Sequence, residues 1–497
     1  MRVPDIIADT EAGKVAGERA GGVVRFRGIP YAAPPVGRLR FQLPVQHWSW
    51  DGIRDATRRG PSAPQPKREA ALPIDIEPLL GEGWAPGDDF LTVNVWAPHA
   101  AVSGLPVMVF IHGGAFVAGG ADAAVNDGAA FARSGVVCMA VNYRLGVEGF
   151  LPMEGSPTNL GLRDQIAALE WVRRNAAAFG GDPANVTVFG ESAGAMSIAN
   201  LVASPPAQGL FRRAVIQSGH GSMVRPIAVG EKVTAALARQ LRVPPTADGF
   251  ATRTVEDCLA AQARVSDPKF RLDLRDGAGR DVAYGLSRFL PVYGDDILPQ
   301  PPLDALARGV GKDIQVLIGT NREEMNLYFA PTGVRARLPK LLAGWMLGKA
   351  EPRARAVLKA YGLGKAGVRG GDALTEAMHD LVFRLPARRF ADAHQGRTHV
   401  YEFDWRSPAL GGRLGACHGL ELPFVFDTLP TCTGVDGIAG TAPPQDLAER
   451  MHGIWVRFAT DGELPWAEYA AGERPVYSIL NGAAAPDAPI PAERLLA

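Results

Sequence analysis

This chain of 497 residues has few cysteines, no formal net charge and no long apolar runs. The four cysteines, Cys138, Cys258, Cys417 and Cys432, form no CxxC pair and are too few for a disulfide framework. We therefore expect free thiols in a reducing compartment. Lys plus Arg total 52 and Asp plus Glu total 52. A chain with no net charge is not drawn to nucleic acid or to an anionic membrane, so we expect neither as a partner.

We expect neither a membrane span nor a signal peptide. Charges and Pro4 interrupt every apolar run near the N-terminus, and no window approaches the ~20 apolar residues that a span needs. Hydrophobic residues still make up 47% of the chain, which is enough for a large core. We expect a globular cytoplasmic protein, either a monomer or a small homo-oligomer.

Six short apolar runs alternate with helical stretches. They lie at 106–111, 135–141, 185–189, 213–217, 314–319 and 398–403. Runs that are apolar throughout are typical of parallel strands covered on both faces. Between the second and third run, apolar residues recur at helical spacing from Leu162 to Val172, and Gly180 and Gly181 end the helix. This order predicts an α/β fold with a large, mostly parallel central sheet.

No repeat or low-complexity tract divides the chain. Strand-like segments resume after the Pro- and Gly-rich stretches 60–88 and 291–302, so we interpret both as surface loops. Residues 335–397, rich in Arg, Ala and Leu, predict a helical insertion. We expect a single domain over 1–497 with this insertion inside it.

The stretch GESAG, residues 190–194, places Ser192 between an apolar strand and a helix-forming run. A strand-to-helix turn flanked by small residues is the setting of a reactive serine. A phosphate-binding turn is the alternative, but the GESAG turn itself fits neither GxGxxG nor GxxxxGK[ST]. An ordinary loop remains possible on these residues alone.

A second glycine-rich turn can supply the N–H donors that a reactive serine needs. When a serine attacks a carbonyl, peptide N–H groups stabilise the oxyanion that forms. After a strand that ends at Ile111, the chain passes through Gly113, Gly114 and Ala115, where N–H groups can face a ligand. A plain turn is the alternative when this stretch is taken alone.

Six ordered motifs resemble the type-B carboxylesterases, the family of bacterial p-nitrobenzyl esterases and animal cholinesterases. They are FRGIPYAAPPVGRLRF (26–41), VNVWAP (93–98), HGGAF (112–116), VNYRLGVEGFL (141–151), NLGLRDQIAALEWVRRNAAAFGGDPANVTVFGESAG (159–194) and GACHGLELPFVF (415–426). The similarity covers nearly the whole chain. It implies an α/β-hydrolase fold with helical and loop insertions over an active-site gorge, and a serine esterase that needs no metal or cofactor.

The resemblance also assigns the site. Ser192 matches the nucleophile, and the N–H groups of Gly114, Ala115 and Ala193 match the oxyanion hole. In IGTNREEMNLYF the family pattern takes the second of two adjacent glutamates, which selects Glu324 as the triad carboxylate. A surface pair of glutamates without a catalytic role is the alternative.

The base is chosen among the five histidines after Glu324. His418 lies in a glycine-flanked loop and matches the family motif HGxELP, so we predict that it is the base. The other four are expected to be packed or solvated imidazoles: His379 and His452 in helix-like runs, His399 in a strand and His394 in a polar loop.

Two further residues near the serine are not assigned to the chemistry. Glu191 resembles a buried carboxylate that supports the turn. His220 either lines the pocket near Ser218 or is a solvated loop histidine.

The family's N-terminal disulfide is absent, because Ala63 and Phe90 occupy its cysteine positions. We therefore expect an unstapled loop at about 64–89 that forms a mobile wall of the gorge. Five residues are candidates for an apolar pocket, although core packing is the alternative for each: Trp84, Phe116, Phe289, Leu290 and Phe329.

The resemblance predicts hydrolysis of small to medium, largely apolar carboxylic esters through an acyl-enzyme. A non-catalytic binding protein on the same fold is one alternative, and cleavage of a carbamate, amide or lactone is another, because the same intermediate serves them all. The activity is expected to rise as His418 loses its proton near pH ~6.5.

Overall fold

The computed structural model describes residues 6–67, 73–99, 102–470 and 472–496. Strands in these ranges form one large sheet and two small ones. Their bounds are β1 (Ile7–Thr10), β2 (Gly13–Ala16), β3 (Glu18–Ala20), β4 (Val23–Pro30), β5 (Ile53–Asp55), β6 (Thr92–Pro98), β7 (Leu105–Ile111), β8 (Val137–Val141), β9 (Gly181–Glu191), β10 (Arg213–Gln217), β11 (Arg225–Pro226), β12 (Val292–Tyr293), β13 (Gln315–Asn321), β14 (Thr398–Phe403), β15 (Pro475–Ser478) and β16 (Ala483–Pro486).

The large sheet has the order β16-β15-β14-β13-β10-β9-β7-β8-β6-β4-β3. All pairs from β15 to β8 are parallel, whereas β16, β6, β4 and β3 are antiparallel to their neighbours. The predicted α/β class and the large, mostly parallel centre are confirmed, with antiparallel strands at both edges. All six predicted apolar runs lie in or overlap strands of this sheet.

Helices cover the sheet on both faces. Their bounds are α1 (Glu77–Leu80), α2 (Ala129–Arg133), α3 (Gly146–Phe150), α4 (Leu160–Asn175), α5 (Ala193–Val202), α6 (Ile227–Leu241), α7 (Ala247–Ala251), α8 (Val255–Ser266), α9 (Pro302–Ala307), α10 (Asn326–Phe329), α11 (Val334–Arg337), α12 (Lys340–Gly348), α13 (Ala354–Ala360), α14 (Gly370–His379), α15 (Leu385–Ala393), α16 (Leu422–Val425), α17 (Leu429–Cys432), α18 (Gln445–Asp461) and α19 (Glu493–Leu496). None of the helices in the described ranges is long and apolar enough to cross a bilayer.

Each central strand buries side chains in two cores, because neighbouring residues of a strand point to opposite faces. In β7, Val109 belongs to the core that includes α4 and α5, and Phe110 belongs to the core that includes α2, α16 and α18. This explains why the strands are apolar at nearly every position.

The parallel strands β7, β9, β10 and β13 end at one edge of the sheet. In register, Ile111 at the end of β7 pairs with Gly190, Glu191 pairs with Gln217, and Gln217 pairs with Gly319. The chain leaves this edge into the glycine turn after β7, the serine turn after β9 and the Glu324 segment after β13. Ligands of open α/β sheets bind at this carboxyl edge.

Residues 335–397, the predicted helical insertion, contain most of α11, all of α12 to α15 and a π-helical turn at Asp380–Arg384. Helix α12 packs on α13 and α14. The π-turn continues α14 and contacts β13, so it carries the insertion back towards the carboxyl edge.

The loop at 64–89 is held by polar contacts in its described part. Gln65 is buried and bonds both backbone groups of Gly119, with Nε2 donating to the carbonyl oxygen at 2.8 Å and Oε1 accepting from N–H at 2.9 Å. The N–H of Asp75 donates to the carbonyl of Asp436 at 2.6 Å. The four cysteines are free, and all four are buried. Hydrogen bonds therefore hold this loop at Gln65 and Asp75, and residues 68–72, on which the predicted mobility partly falls, lie outside the described residues.

Candidate active site

The backbone at Ser192 is strained, and the glycines at 190 and 194 leave room for this conformation. Ser192 has φ 55° and ψ −123°, between the end of β9 and the start of α5, a backbone region that side chains rarely adopt. A Cβ on Gly190 would lie 2.5 Å from the carbonyl oxygen of Ile111, and one on Gly194 would collide with the same atom. The two glycines therefore let the serine turn press against β7, as the motif predicts.

The glycine turn after β7 lies directly beside this serine. A Cβ on Gly113 would be 3.2 Å from Cβ of Ser192. Gly114 and Ala115 both have positive φ, 113° and 55°. In the described part of the chain, the N–H groups of Gly114, Ala115 and Ala193 donate to no protein acceptor. Gly114, Ala115 and Ser192 are half-buried, so the turn can offer unpaired donors to a ligand.

Glu324 faces the histidine and Glu323 does not. Oε2 of Glu324 lies 2.6 Å from Nδ1 of His418, and Oε1 accepts from the N–H of Asn321 at 2.8 Å. Glu323 instead accepts from Arg406 at 2.8 Å and from the N–H of Ala416 at 3.0 Å. The adjacent carboxylates thus have separate partners, and Glu324 is the one that can orient an imidazole.

The other nitrogen of His418 points towards the serine turn. Nε2 lies 3.0 Å from Oε1 of Glu191, the residue before Ser192. It has no aligned hydrogen-bond partner among the described residues. The ring is held between Phe383 and Tyr328, whose ring centroids are 4.7 Å and 5.8 Å from its own. The imidazole is therefore positioned by its Nδ1 side and free to accept a proton at Nε2.

Three buried carboxylates surround this one imidazole. Burial alone would lower the pKa of His418, but the charges of Glu191 and Glu324 outweigh it and raise the pKa to about 9. The expected value near 6.5 did not include these buried charges. Burial also raises the pKa of Glu191 to about 8, with the charges of Glu421 and Glu324 adding to the effect of burial and His418 opposing it.

Glu421 links this cluster to the sheet. It accepts from Nδ2 of Asn321 at 2.5 Å and from Nε2 of Gln217 at 3.3 Å. Gln217 in turn accepts from Trp455 at 3.0 Å. Because Asn321 also donates through its backbone to Glu324, one residue holds both carboxylates in place.

His220 and His394 are engaged by other hydrogen-bond partners. Nε2 of His220 lies 2.7 Å from the carbonyl of Val382 and its Nδ1 accepts from Ser222, so this buried residue is not a solvated loop histidine. Burial lowers its pKa to about 4. His394 is also buried and bonded, to Thr398 and Gly311. Neither residue has a nitrogen available to act as a base.

His379, His399 and His452 lie in elements as predicted, in α14, β14 and α18. His379 accepts at Nδ1 from the N–H of Glu324 at 3.3 Å, and burial lowers its pKa to about 3. It is therefore a neutral residue that supports the acid segment.

Three residues near the site carry no sequence signal that we recognised. Phe383 comes from the insertion, Gln65 anchors the turn that contains Gly119, and Leu79 lies beside the base loop, since a Cβ on Gly419 would be 3.2 Å from its Cδ1. Of the proposed pocket residues, Phe116, Phe289 and Leu290 are in the core, whereas Trp84 and Phe329 are half-buried. No group of three or more His, Cys, Asp or Glu in the described ranges is arranged to hold a metal ion.

The chain matches the model of the carboxylesterase family over residues 4–485. It is 38% identical over 468 residues to the para-nitrobenzyl esterase of Bacillus subtilis, covering 92% of this chain and 90% of that protein. It is 35% identical to the phenmedipham hydrolase of Pseudarthrobacter oxydans, with the same coverage. Among solved structures, a carboxylesterase of Geobacillus stearothermophilus superposes with a TM-score of 0.82 at 33% identity, covering 98% of this chain and 99% of that one.

Proposed function

This chain belongs to the carboxylesterase family, and from that premise we propose that it hydrolyses carboxylic esters with Ser192 as nucleophile, His418 as base and Glu324 as orienting carboxylate. The observation that carries the proposal is the 2.6 Å contact between Nδ1 of His418 and Glu324, with Nε2 directed to the residue beside Ser192. A serine hydroxyl is a weak nucleophile until such a base removes its proton.

In the first half of the reaction, Nε2 of neutral His418 takes the proton of Ser192 while the serine oxygen bonds to the ester carbonyl carbon. The negative charge that develops on the carbonyl oxygen is stabilised by the N–H groups of Gly114, Ala115 and Ala193. Glu324 stabilises the imidazolium, which then protonates the departing alcohol as the ester C–O bond breaks.

Water completes the cycle. It attacks the acyl-enzyme with His418 again as the base, and the proton returns to Ser192 when the acid leaves. The apolar side chains near the base, Phe383, Tyr328 and Leu79, favour substrates that are small to medium and largely apolar. We also propose that the chain acts as a single domain, because the three triad residues come from distant segments of one sheet edge.

A fluorophosphonate probe tests the nucleophile. We expect intact mass spectrometry to show one added phosphonyl group on the wild type and none on Ser192→Ala. Labelling of Ser192→Ala at the wild-type rate would contradict the assignment, and failure of the folded wild type to react would favour a binding protein.

Hydrolysis of p-nitrophenyl acetate and butyrate tests the base. We expect activity from the wild type, none measurable from His418→Ala, and near-normal activity from His220→Ala if its fold is kept. Equal inactivation of both folded variants would remove the reason for choosing His418.

A further inference from the structure

The basic residues of this neutral chain are not spread evenly. Between residues 335 and 369 there are nine Lys or Arg residues and one acidic residue, Glu351. Glu351 is fully buried and already contacts Arg353 at 3.3 Å and Arg280 at 3.5 Å. Acidic residues of α14 pair with two of the nine, since Arg335 contacts Asp372 and Glu376 and Arg369 contacts Asp372. The remaining basic residues of α11, α12 and α13 still make this surface basic on a protein whose formal net charge is zero.

Helix α12 presents apolar side chains to solvent at the centre of this basic surface. Leu341 is 92% exposed, Trp345 59% and Leu342 42%. Leu341 and Leu342 lie four and three residues before Trp345, so both are neighbours of Trp345 on the helix surface. Ala343 and Leu347 are buried on the opposite face, where α12 packs on α13 and α14. The helix is thus anchored on one side and presents Leu and Trp on the other.

Lysines border this apolar face at both ends of the helix. Lys340 begins α12 and Lys349 follows it, with Nζ of Lys349 3.7 Å from the centroid of the Trp345 ring. Leu and Trp on one face with Lys and Arg around it is the pattern of helices that lie in the interface of a lipid bilayer. We propose that α12 and the basic surface around it dock this protein on an anionic lipid surface.

Two other occupants fit the observations less well. A second copy would bring two basic surfaces together, which like-charge repulsion disfavours. A nine-residue helix is about 14 Å long, so its outward face is much smaller than the roughly 800 Å² per partner of a stable protein interface. A lipid surface has no such minimum, because a few inserted side chains add to the attraction of each nearby cation.

The proposal goes beyond the ester hydrolysis described above, and it does not require a spanning helix. Trp345 and Leu341 would insert to the level of the headgroups, while Lys340 and Arg337 contact anionic lipid. Because binding uses neither Ser192 nor His418, the hydrolysis of soluble p-nitrophenyl acetate serves as a separate measure of folding in every sample.

The test is flotation of the full chain with phosphatidylcholine vesicles, with and without phosphatidylserine. We expect binding to vesicles that contain phosphatidylserine, little binding to phosphatidylcholine alone, and loss of binding at high salt. Leu341→Ser with Trp345→Ser should lower the partition coefficient at least tenfold. Lys340→Gln and Arg337→Gln should each lower it about fivefold.

A matched control comes from another part of the surface. Trp48 is 60% exposed and Val435 87%, close to the values of Trp345 and Leu341. Trp48→Ser with Val435→Ser should leave flotation unchanged. The proposal is overturned if the wild type does not float with phosphatidylserine vesicles at low salt, or if both serine pairs reduce binding equally. It is also overturned if only the charge variants matter, or if an acidic polypeptide binds the protein while vesicles do not.

Discussion

The two sides of the active site are held by different forces. On the serine side, backbone packs against backbone: the turn at Ser192 and the glycine turn fit together because Gly113, Gly190 and Gly194 leave no Cβ between them. On the acid–base side, buried side chains hold one another through charge, with Glu191, Glu324 and Glu421 around His418. Changes of volume should therefore damage the first side, and changes of charge or pH the second.

The largest expected effect is on the acid–base side. Glu324→Gln keeps the size of the side chain but removes the charge that stabilises the imidazolium, and it permits the wrong tautomer of His418. We expect kcat to fall on the order of 10³- to 10⁴-fold with little change in fold. The measurement is p-nitrophenyl ester hydrolysis by enzyme that keeps its wild-type circular dichroism.

Glu323→Gln is the matched control for that change. Its carboxylate faces Arg406, whose side chain is 59% exposed, so the ion pair contributes little. We expect kcat within a few-fold of the wild type. If the two variants lost equal activity, the distinction between the adjacent glutamates would be wrong.

The second prediction tests the serine side by increasing the volume of one residue in the turn. Gly194→Ala places a methyl group against the carbonyl oxygens of Ile111 and His112. We expect the free energy of unfolding to fall by about 3 kcal/mol, with activity lost as the turn moves. Urea denaturation measures the first effect and ester hydrolysis the second.

Gly453→Ala controls for the loss of a helical glycine. Gly453 lies exposed within α18, where a Cβ would meet nothing within 4 Å. We expect this change to be neutral or to stabilise by about 0.5–1 kcal/mol. Equal destabilisation of the two variants would mean that packing does not hold the serine turn.

The third prediction concerns pH. A protonated imidazole cannot accept the proton of Ser192, so activity should be low below the pKa of His418 and rise as the pH passes through about 9. Glu191→Gln removes the largest of the charges that raise this pKa, so the rise should move to lower pH. Profiles of kcat/KM against pH for the wild type, Glu191→Gln and Glu323→Gln measure this. A profile that moves equally in both variants would argue against a direct charge contact.

Sequence patterns predicted the features of the site that the local backbone determines. The serine turn is encoded by adjacent residues, a strand, two glycines and a helix, so its geometry can be read from the motif. The choice of Glu324 over Glu323 came from family resemblance, and the assignment of the triad stays a prediction that the geometry supports. Neither the pKa of His418 nor the position of Phe383 was predictable, because both depend on side chains that meet only after folding.

Whole-chain charge is a coarse guide to binding partners for a similar reason. Equal totals of acidic and basic residues say nothing about where they lie, and the structure groups basic residues on α11 to α13. The expectation that no membrane is a partner was drawn from the total alone. The distribution of charge on the surface is what our lipid-docking proposal uses.

The smallest effect is expected at Gln65, and it tests whether backbone packing alone holds the serine side. Gln65 bonds both backbone groups of Gly119, in the glycine-rich segment that also forms the predicted oxyanion hole. Gln65→Ala leaves a buried N–H and a buried carbonyl without partners, so we expect a loss of about 2 kcal/mol in the free energy of unfolding and a modest fall in kcat.

The control for Gln65→Ala is Gln445→Ala, which removes one exposed hydrogen bond to Asp427 and should change neither quantity. Urea denaturation and ester hydrolysis are measured on both variants. If Gln65→Ala lowers kcat strongly while the free energy of unfolding changes little, a side chain sets the position of the oxyanion donors. The serine side would then depend on side-chain contacts, as the acid–base side does. If the two variants behave alike, the glycine turn keeps its shape through backbone packing alone.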